Sequence, residues 1–390
     1  RALVRSKLAA LEGGRISVRD PFGEWSAGRD SGTSARIEVH DARAYVDILT
    51  GGSLGAAESY MASRWSADDL TALMRILLRE TAVMDGMEGG LATVRNALAA
   101  LRHRLRANTR AGSRRNIEAH YDLGNDLFAL FLDETMTYSA GIFEHPGSTM
   151  REASLAKLDR ICRTLGLGRD DHVLEIGTGW GSFAMHAAAN YGCRVTTTTI
   201  SREQHALAAE RVREAGLEDR VELKLCDYRA LTGRYDALVS IEMIEAVGHE
   251  FLPVYFAKCA TLLADDGRMM LQAITMPEHR YRQYLMSSDF IRRYVFPGSS
   301  VPSLGAMLDA AGRASDLRLA ELVDIGPHYA TTLARWREAF RAREREVRAL
   351  GYPTRFIRLW EYYLCYCEAG FAEGYLGDVQ MLLEKPGRRR

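Results

Sequence analysis

The stretch Val173–Phe183 reads VLEIGTGWGSF. Val173, Leu174 and Ile176 form a short apolar run around one acid, Glu175. Gly177, Gly179 and Gly181 then alternate with other residues, and GSFAMHAAANYG follows with a helical pattern closed by glycine. A buried strand, a glycine turn and a helix in that order make the first unit of a doubly wound α/β sheet. In such sheets the ligand binds beyond the carboxyl ends of the strands, where strand order reverses, so this turn is the expected cofactor loop.

The segments downstream keep the alternation. RVTTTTI is a β-branched strand, and SREQHALAAERVREAG is a helix for which Ser201 is the predicted N-cap. VELKLCD, DALVSIE, RMMLQAI, LRLAELVDI and GDVQMLLEK supply further strands, which predicts an α/β domain with a mainly parallel sheet. Residues 276–315 interrupt the pattern with a Tyr-, Arg- and Met-rich segment containing FPGSSVPSL, read as an inserted helical lid or substrate wall.

Upstream, residues 1–90 read as a small separate α+β module. ARIEVHD alternates as a strand, and DARAYVDILTGGSLGAAESYMASRW reads as helix, glycine turn, helix. Residues 91–115 join the two parts. Leu91, Val94, Leu98, Leu101 and Leu105 share one helical face, and Arg102, Arg104, Arg106, Arg110, Arg114 and Arg115 follow with no acid between them. A basic amphipathic helix of this kind suits an anionic membrane surface; a plain domain joint is the alternative. Residues 116–390 form the expected catalytic domain.

With 51 basic and 51 acidic side chains the chain has no net attraction for polyanions. No nucleic-acid-binding module is visible, which argues against a nucleic-acid partner. The six cysteines lack metal-ligand spacing and read as reduced core residues of a cytosolic protein, and no metal site is predicted. The chain begins at Arg1 rather than Met, which implies residues missing ahead of it. Neither a signal peptide nor a membrane-spanning run is seen, so the expected location is cytoplasmic, with peripheral contact to the inner membrane face.

The cofactor can be narrowed from the residues. The dinucleotide fingerprint is G-x-G-x-x-G, whereas here the last spacing is one residue short and Trp180 stands where a pyrophosphate would need open amides. The second strand ends in TTTTIS, with no acid to hold a ribose. Gln204, one turn into the next helix, is an alternative ribose ligand. Asp227, ending the third strand, could accept from an adenine amino group, with Tyr228 against the ring. The pattern E-x-G-x-G-x-G, from Glu175 to Gly181, resembles motif I of class I S-adenosylmethionine methyltransferases.

More stretches join that resemblance. RRNIEAHYDLGNDLFALFLDETMTYSAGIFE, TTTTISREQ, CDYRAL, SIEMIEAVGHE, YVFPGSSVPSL, IGPHYATTLARW and the closing GDVQMLLEK are similar to the cyclopropane-fatty-acid synthase family, which includes the mycolic acid cyclopropane synthases. The resemblance spans about 115–385, and HYDLGNDLF with MTYS is its specific part. It implies a Rossmann-like fold with a mainly parallel seven-stranded sheet. It also implies a reaction: the methyl of S-adenosylmethionine passes to a cis double bond in a membrane phospholipid's acyl chain. The resulting carbocation loses a proton from the new methyl to a bound bicarbonate, and a cyclopropane ring closes. A cation of that kind needs a dry pocket lined by aromatic faces. Candidates include Tyr138, Phe143, Tyr294, Phe296, Tyr329, Trp360, Tyr362, Tyr363 and Tyr366.

Residue by residue, the resemblance assigns bicarbonate to Glu245, Tyr329, Gln272 and the backbone of Ala140 and Ile274. It assigns the cofactor to Tyr121, Tyr138, Ser139, Glu175, Gly177, Gly179, Thr199, Gln204, Asp227, Tyr228 and Ile241. The chain departs from the family at three of these places: Ala140 stands for a cysteine, Gln272 for a histidine, and Ala246 follows Glu245 where many members have histidine. Glu242 is an extra carboxylate, read as structural. Some members of the wider group stop at a methylene- or methyl-branched chain, so the fate of the cation stays open. Family members are often homodimers. A nucleic-acid methyltransferase gripping its substrate through the arginine-rich linker and a non-catalytic lipid-binding protein are the competing possibilities; the apolar, aromatic insert and the joint presence of the glycine loop, Glu245 and Tyr329 favour the lipid-modifying enzyme.

Overall fold

The computed structural model describes residues 1–30, 32–80, 123–287 and 289–387. The linker arginines and Tyr121 lie outside them. The described chain divides into two compact units. One comprises residues up to 80 with Arg282–Val295 and Leu333–Tyr375; the other comprises 123 to Tyr281, Phe296–Thr332 and the chain from Leu376 on.

In the first unit, β1 (Arg15–Asp20), β2 (Gly23–Gly28), β3 (Ser34–Val39) and β4 (Trp65–Ala67) pair in the order β2-β1-β3-β4. β1 and β2 form an antiparallel hairpin, and β1 runs parallel to β3. The helix Arg43–Met61 breaks at Gly52 (φ 57°, ψ −140°), where the sequence carries its glycine pair. The helix Leu70–Arg79 opens on Asp69, whose carboxylate accepts from Ala72 N at 2.8 Å. It packs against the aromatic-rich helix Thr354–Ala372, and Arg75 and Arg79 both pair with Glu373.

The second unit is a seven-stranded sheet. Its strands are β5 (His172–Ile176), β6 (Arg194–Thr199), β7 (Val221–Leu225), β8 (Tyr235–Ile241), β9 (Leu263–Thr275), β10 (Arg318–Asp324) and β11 (Gly377–Glu384), in the order β10-β11-β9-β8-β5-β6-β7. β5 through β9 are parallel, while β11 is antiparallel to both β9 and β10. Strand order reverses between β5 and β8, so the end of β5 is the topological switch point.

Both faces of the sheet are covered. Leu174, Leu238, Leu271 and Met381 face a core closed by Tyr255 and Phe256 of the helix Leu252–Leu262 and by Met307 and Ala310 of Leu304–Ala314. Val173, Val239 and Met270 face the other core, with Phe183, Leu158 and Ile161. This is why the strands read as near-continuous apolar runs. Leu304–Ala314, inside the segment 276–315, is therefore part of the sheet's helical layer. The helix Met150–Leu165 starts in a capping box between Thr149 and Glu152 and stops at Gly166 (φ 60°).

Candidate active site

The glycine loop is held by the strand beside it. Gly177 N and Thr178 N both donate to Thr198 O, at 3.0 and 3.1 Å. Gly177 has φ 105°, and a Cβ there would stand 3.2 Å from the Met243 side chain, so only glycine brings the β5 turn this close to the turn after β8. Gly179 has φ 51°, and none of the described residues comes within 4 Å of where its Cβ would be. Trp180 is turned inward. It is 1% exposed, its ring is 5.0 Å from Phe128, and Nε1 donates to Asn125 Oδ1 at 2.7 Å.

Glu175 is buried two positions before Gly177 and accepts from Thr197 Oγ1 at 2.6 Å. Burial pushes its carboxyl up to about 8, against the Thr197 bond and the nearby Lys157. Thr199 Oγ1 donates to Gln204 Oε1 at 2.9 Å, and Ser201 caps the helix Arg202–Glu214 by accepting from Gln204 N. Gln204 is thereby fixed at the end of β6, its carbonyl oxygen held by Thr199. Asp227 is gripped by Arg229 through Nε at 2.8 Å and Nη2 at 2.6 Å. Tyr228 lies edge-on to Tyr255, 5.5 Å away. Ile241 ends β8 and is half-buried.

Tyr138 belongs to an aromatic cluster with Phe128, Phe131 and Phe296, and Ser139 accepts from the fully buried Lys157 Nζ at 2.6 Å. Burial lowers that lysine to about 8 against the pull of surrounding carboxylates, Glu242 first. The aromatics nominated from sequence separate between the two units. Tyr138, Phe143, Phe296 and Tyr329 share the unit of the glycine loop, while Tyr294, Trp360, Tyr362, Tyr363 and Tyr366 belong to the other.

The most concentrated chemistry follows β8. Glu242 takes φ 45°, a left-handed backbone that glycine favours. Its Oε1 accepts from Ala140 N at 2.8 Å and from Gln272 Nε2 at 2.7 Å, and its Oε2 accepts from the Tyr329 phenol at 2.7 Å. Gln272 also reaches Asp378 Oδ2 at 3.2 Å and accepts from Gln380 Nε2 at 3.0 Å. Glu245, on the short turn Ile244–Ala246, accepts from Ile274 N at 2.6 Å through Oε1, and its buried Oε2 has no hydrogen-bond partner among the described residues. Desolvation first, and then the neighbouring Glu242, push Glu245 up to about 8. Burial also raises Glu242 and Asp378, and the bonds from Tyr329, Ala140 and Gln272 pull Glu242 back.

The structure therefore brings Ala140, Gln272 and Tyr329 together, and all three donate to Glu242. Ile274 meets Glu245 instead. The sequence reading did not place Glu242, Lys157 or Asp378 at the site. The only signal for Glu242 in the chain is its position three residues before Glu245.

A doubly wound sheet with this glycine loop at its switch point defines a class I S-adenosylmethionine-dependent methyltransferase. The chain belongs to the mycolic acid cyclopropane synthetase family, whose model matches residues 108–381. It is 43% identical over 343 residues to tuberculostearic acid methyltransferase UfaA1 of Mycobacterium tuberculosis, covering 86% of this chain and 80% of that protein. It is 35% identical over 344 residues to the cyclopropane-fatty-acyl-phospholipid synthase of Escherichia coli K12, covering 86% and 84%. The solved cyclopropane synthase MmaA2 from Mycobacterium tuberculosis is 30% identical, with a TM-score of 0.65 over 70% of this chain and 98% of its own.

Proposed function

We propose that this enzyme methylates a cis double bond in an unsaturated acyl chain of a membrane phospholipid, and that the resulting cation loses a proton to give a cyclopropane fatty acid. The observation that carries the reading is the pair of hydrogen-bonded carboxyls after β8, Glu242 and Glu245, on either side of Met243, whose side chain closes on Gly177 of the glycine loop. Negative charge in a site closed to water stabilises a cation that water would otherwise quench.

The loop fits S-adenosylmethionine, since Gly177 and Gly179 present backbone without side chains and no described residue crowds Gly179. Gly177, Gly179, Ser139, Thr199, Gln204, Ile241, Asp227 and Tyr228 would hold it, with Tyr138 and, outside the described residues, Tyr121 over its methionine end. Bound there, the cofactor supplies an electrophilic methyl group. Gln204, whose oxygen is held by Thr199, offers its Nε2 to the ribose. Tyr138, with Phe128 and Phe296 around it, keeps that end of the site apolar.

Bicarbonate fits these residues poorly. The donors expected to surround it at Ala140, Gln272 and Tyr329 already meet a protein carboxylate, so no step is routed through the ion. A second outcome, a methylene- or methyl-branched chain without ring closure, is kept open by the 43% identity to a protein named as a tuberculostearic acid methyltransferase.

Among the described residues no helix is long and apolar enough to cross a membrane. The arginines of 102–115 supply the expected grip on anionic lipid. Incubation with S-adenosylmethionine labelled in its methyl group and with unsaturated phospholipid vesicles or RNA tests the reading. Label in lipid is expected, and label in RNA alone overturns it. Fragmentation or NMR of the lipid separates ring from methylene, which share a mass.

A further inference from the structure

We propose that the carboxylate of Glu242 occupies the place of a bound anion in this site and is itself the base that removes the proton from the methylated acyl cation. The proposal rests on the methyl-transfer reading above.

Three donors from separate parts of the chain converge on this one side chain: the backbone of Ala140 ahead of the sheet, Gln272 on β9 and Tyr329 at the start of the helix Gly326–Ala342. Donors gathered in that way form an anion cradle. An exogenous ion would have to displace a covalently attached one. The attached carboxylate is held in the left-handed region at φ 45°, where a glutamate persists only if its surroundings impose it.

Its neighbours divide the charge. Glu242 and Glu245 are three residues apart on one turn, and two adjacent carboxyls do not both ionise readily in a dry site. Glu242 accepts three hydrogen bonds, and the Lys157 ammonium pulls it toward the charged form. Glu245 accepts from Ile274 N and is disfavoured as an anion by burial and by Glu242. By hydrogen bonds Glu242 is the better-stabilised anion of the two, with three donors against one for Glu245.

The step balances without a co-reactant. The alkene π pair forms the new C–CH3 bond as the methyl–sulfur bond breaks, which leaves the adjacent acyl carbon cationic. A Glu242 oxygen takes a proton from the new methyl, and the freed C–H pair closes onto the cationic carbon to complete the three-membered ring. If a hydride first shifts onto that carbon from the methyl-bearing one, the same proton loss leaves an exocyclic C=CH2. Glu242 is half-buried and returns its proton to solvent once product leaves.

Two measurements on the full chain test this. The first is independent of activity: 13C NMR of [13C]bicarbonate titrated with the protein. Wild type should leave the signal sharp, and Glu242→Gly, which opens the cradle and suits the backbone, should broaden it. Broadening by wild type overturns the proposal. The second is methyl transfer to dioleoylphosphatidylglycerol vesicles in CO2-stripped buffer. Wild type should keep its turnover, while Glu242→Gly and Glu242→Gln should lose about 100-fold, with S-adenosylhomocysteine affinity unchanged. Added bicarbonate should restore Glu242→Gly and not Glu242→Gln. A wild-type rate that falls on CO2 removal, or a Glu242→Gln enzyme that turns over normally, rejects the proposal. A wild type that transfers no label to any lipid rejects the methyl-transfer reading instead, and the bicarbonate titration still decides what occupies the cradle.

Discussion

The Tyr329 phenol donates to Oε2 of Glu242 at 2.7 Å, joining the start of a helix that follows β10 to the turn that follows β8. A hydrogen bond to a charged carboxylate contributes about 1.5–3 kcal/mol, and without it only Ala140, Gln272 and Lys157 are left to oppose burial at Glu242. Tyr329→Phe should lower turnover roughly 10- to 100-fold by that scale. Loss of the donor raises the carboxyl's pKa, so the acidic limb of the pH–rate profile should move to higher pH. Steady-state rates across pH check both, and an unmoved limb would separate Tyr329 from the charge on Glu242.

Gly177→Ala should damage the cofactor loop. Its φ of 105° is strained for any L side chain, and the new methyl would press on Met243 at 3.2 Å. A cost of about 1–3 kcal/mol is expected for such backbone strain, read as weaker S-adenosylhomocysteine binding by calorimetry. Gly216→Ala, also at positive φ but with nothing within 4 Å and far along the chain from the loop, is the control for strain without the clash.

Glu175 sets a pH dependence of stability. Its folded-state pKa of about 8 lies above the ordinary glutamate value. Between the two values the unfolded chain releases a proton that the folded protein keeps, so stability falls as pH rises through that window, by at most about 1.4 kcal/mol per pH unit. Glu175→Gln removes this loss while Thr197 can still donate to the side-chain oxygen. The gap in melting temperature between variant and wild type should therefore shift in the variant's favour from pH 5 to pH 8. Parallel curves by circular dichroism would mean that the carboxyl ionises freely in the fold.

Neutralising Arg102, Arg104 and Arg106 to Gln should weaken sedimentation with phosphatidylglycerol vesicles by about 1 kcal/mol per arginine near the surface. The wild-type advantage should shrink at high salt. Equal binding at low salt would leave this stretch as a plain joint.

The sheet was legible because its strands are buried on both faces. VLEI, TTTT and ALVSI are apolar or β-branched runs broken only by Glu175 and Ser240, and Gly177 marks the turn. The hairpin of β1 and β2 was not, since RISVRD and GEWSAG alternate with charged residues and glycine over only six positions each. The helix Met150–Leu165 carries a T-x-x-E cap, but its buried positions are scattered among charges, Lys157 among them. At the site, residue types were readable and partnerships were not. Glu242 and Glu245 look like neighbours on a helix, yet β8 runs to Ile241 and the chain then turns left-handed, so the two carboxyls take different partners. That direction is set by tertiary contacts with Ala140, Gln272 and Tyr329, residues 102, 30 and 87 positions away.

The left-handed backbone at Glu242 also limits what can replace it. Glycine meets the conformation without strain, and most other side chains do not. Glutamate and glycine codons differ by one base, GAA or GAG against GGA or GGG. A single transition at this codon would exchange an enzyme carrying its own base for one that must borrow an ion, with no backbone rearrangement between them. Dependence on dissolved carbon dioxide would then be a trait that drifts in and out of a lineage by one nucleotide.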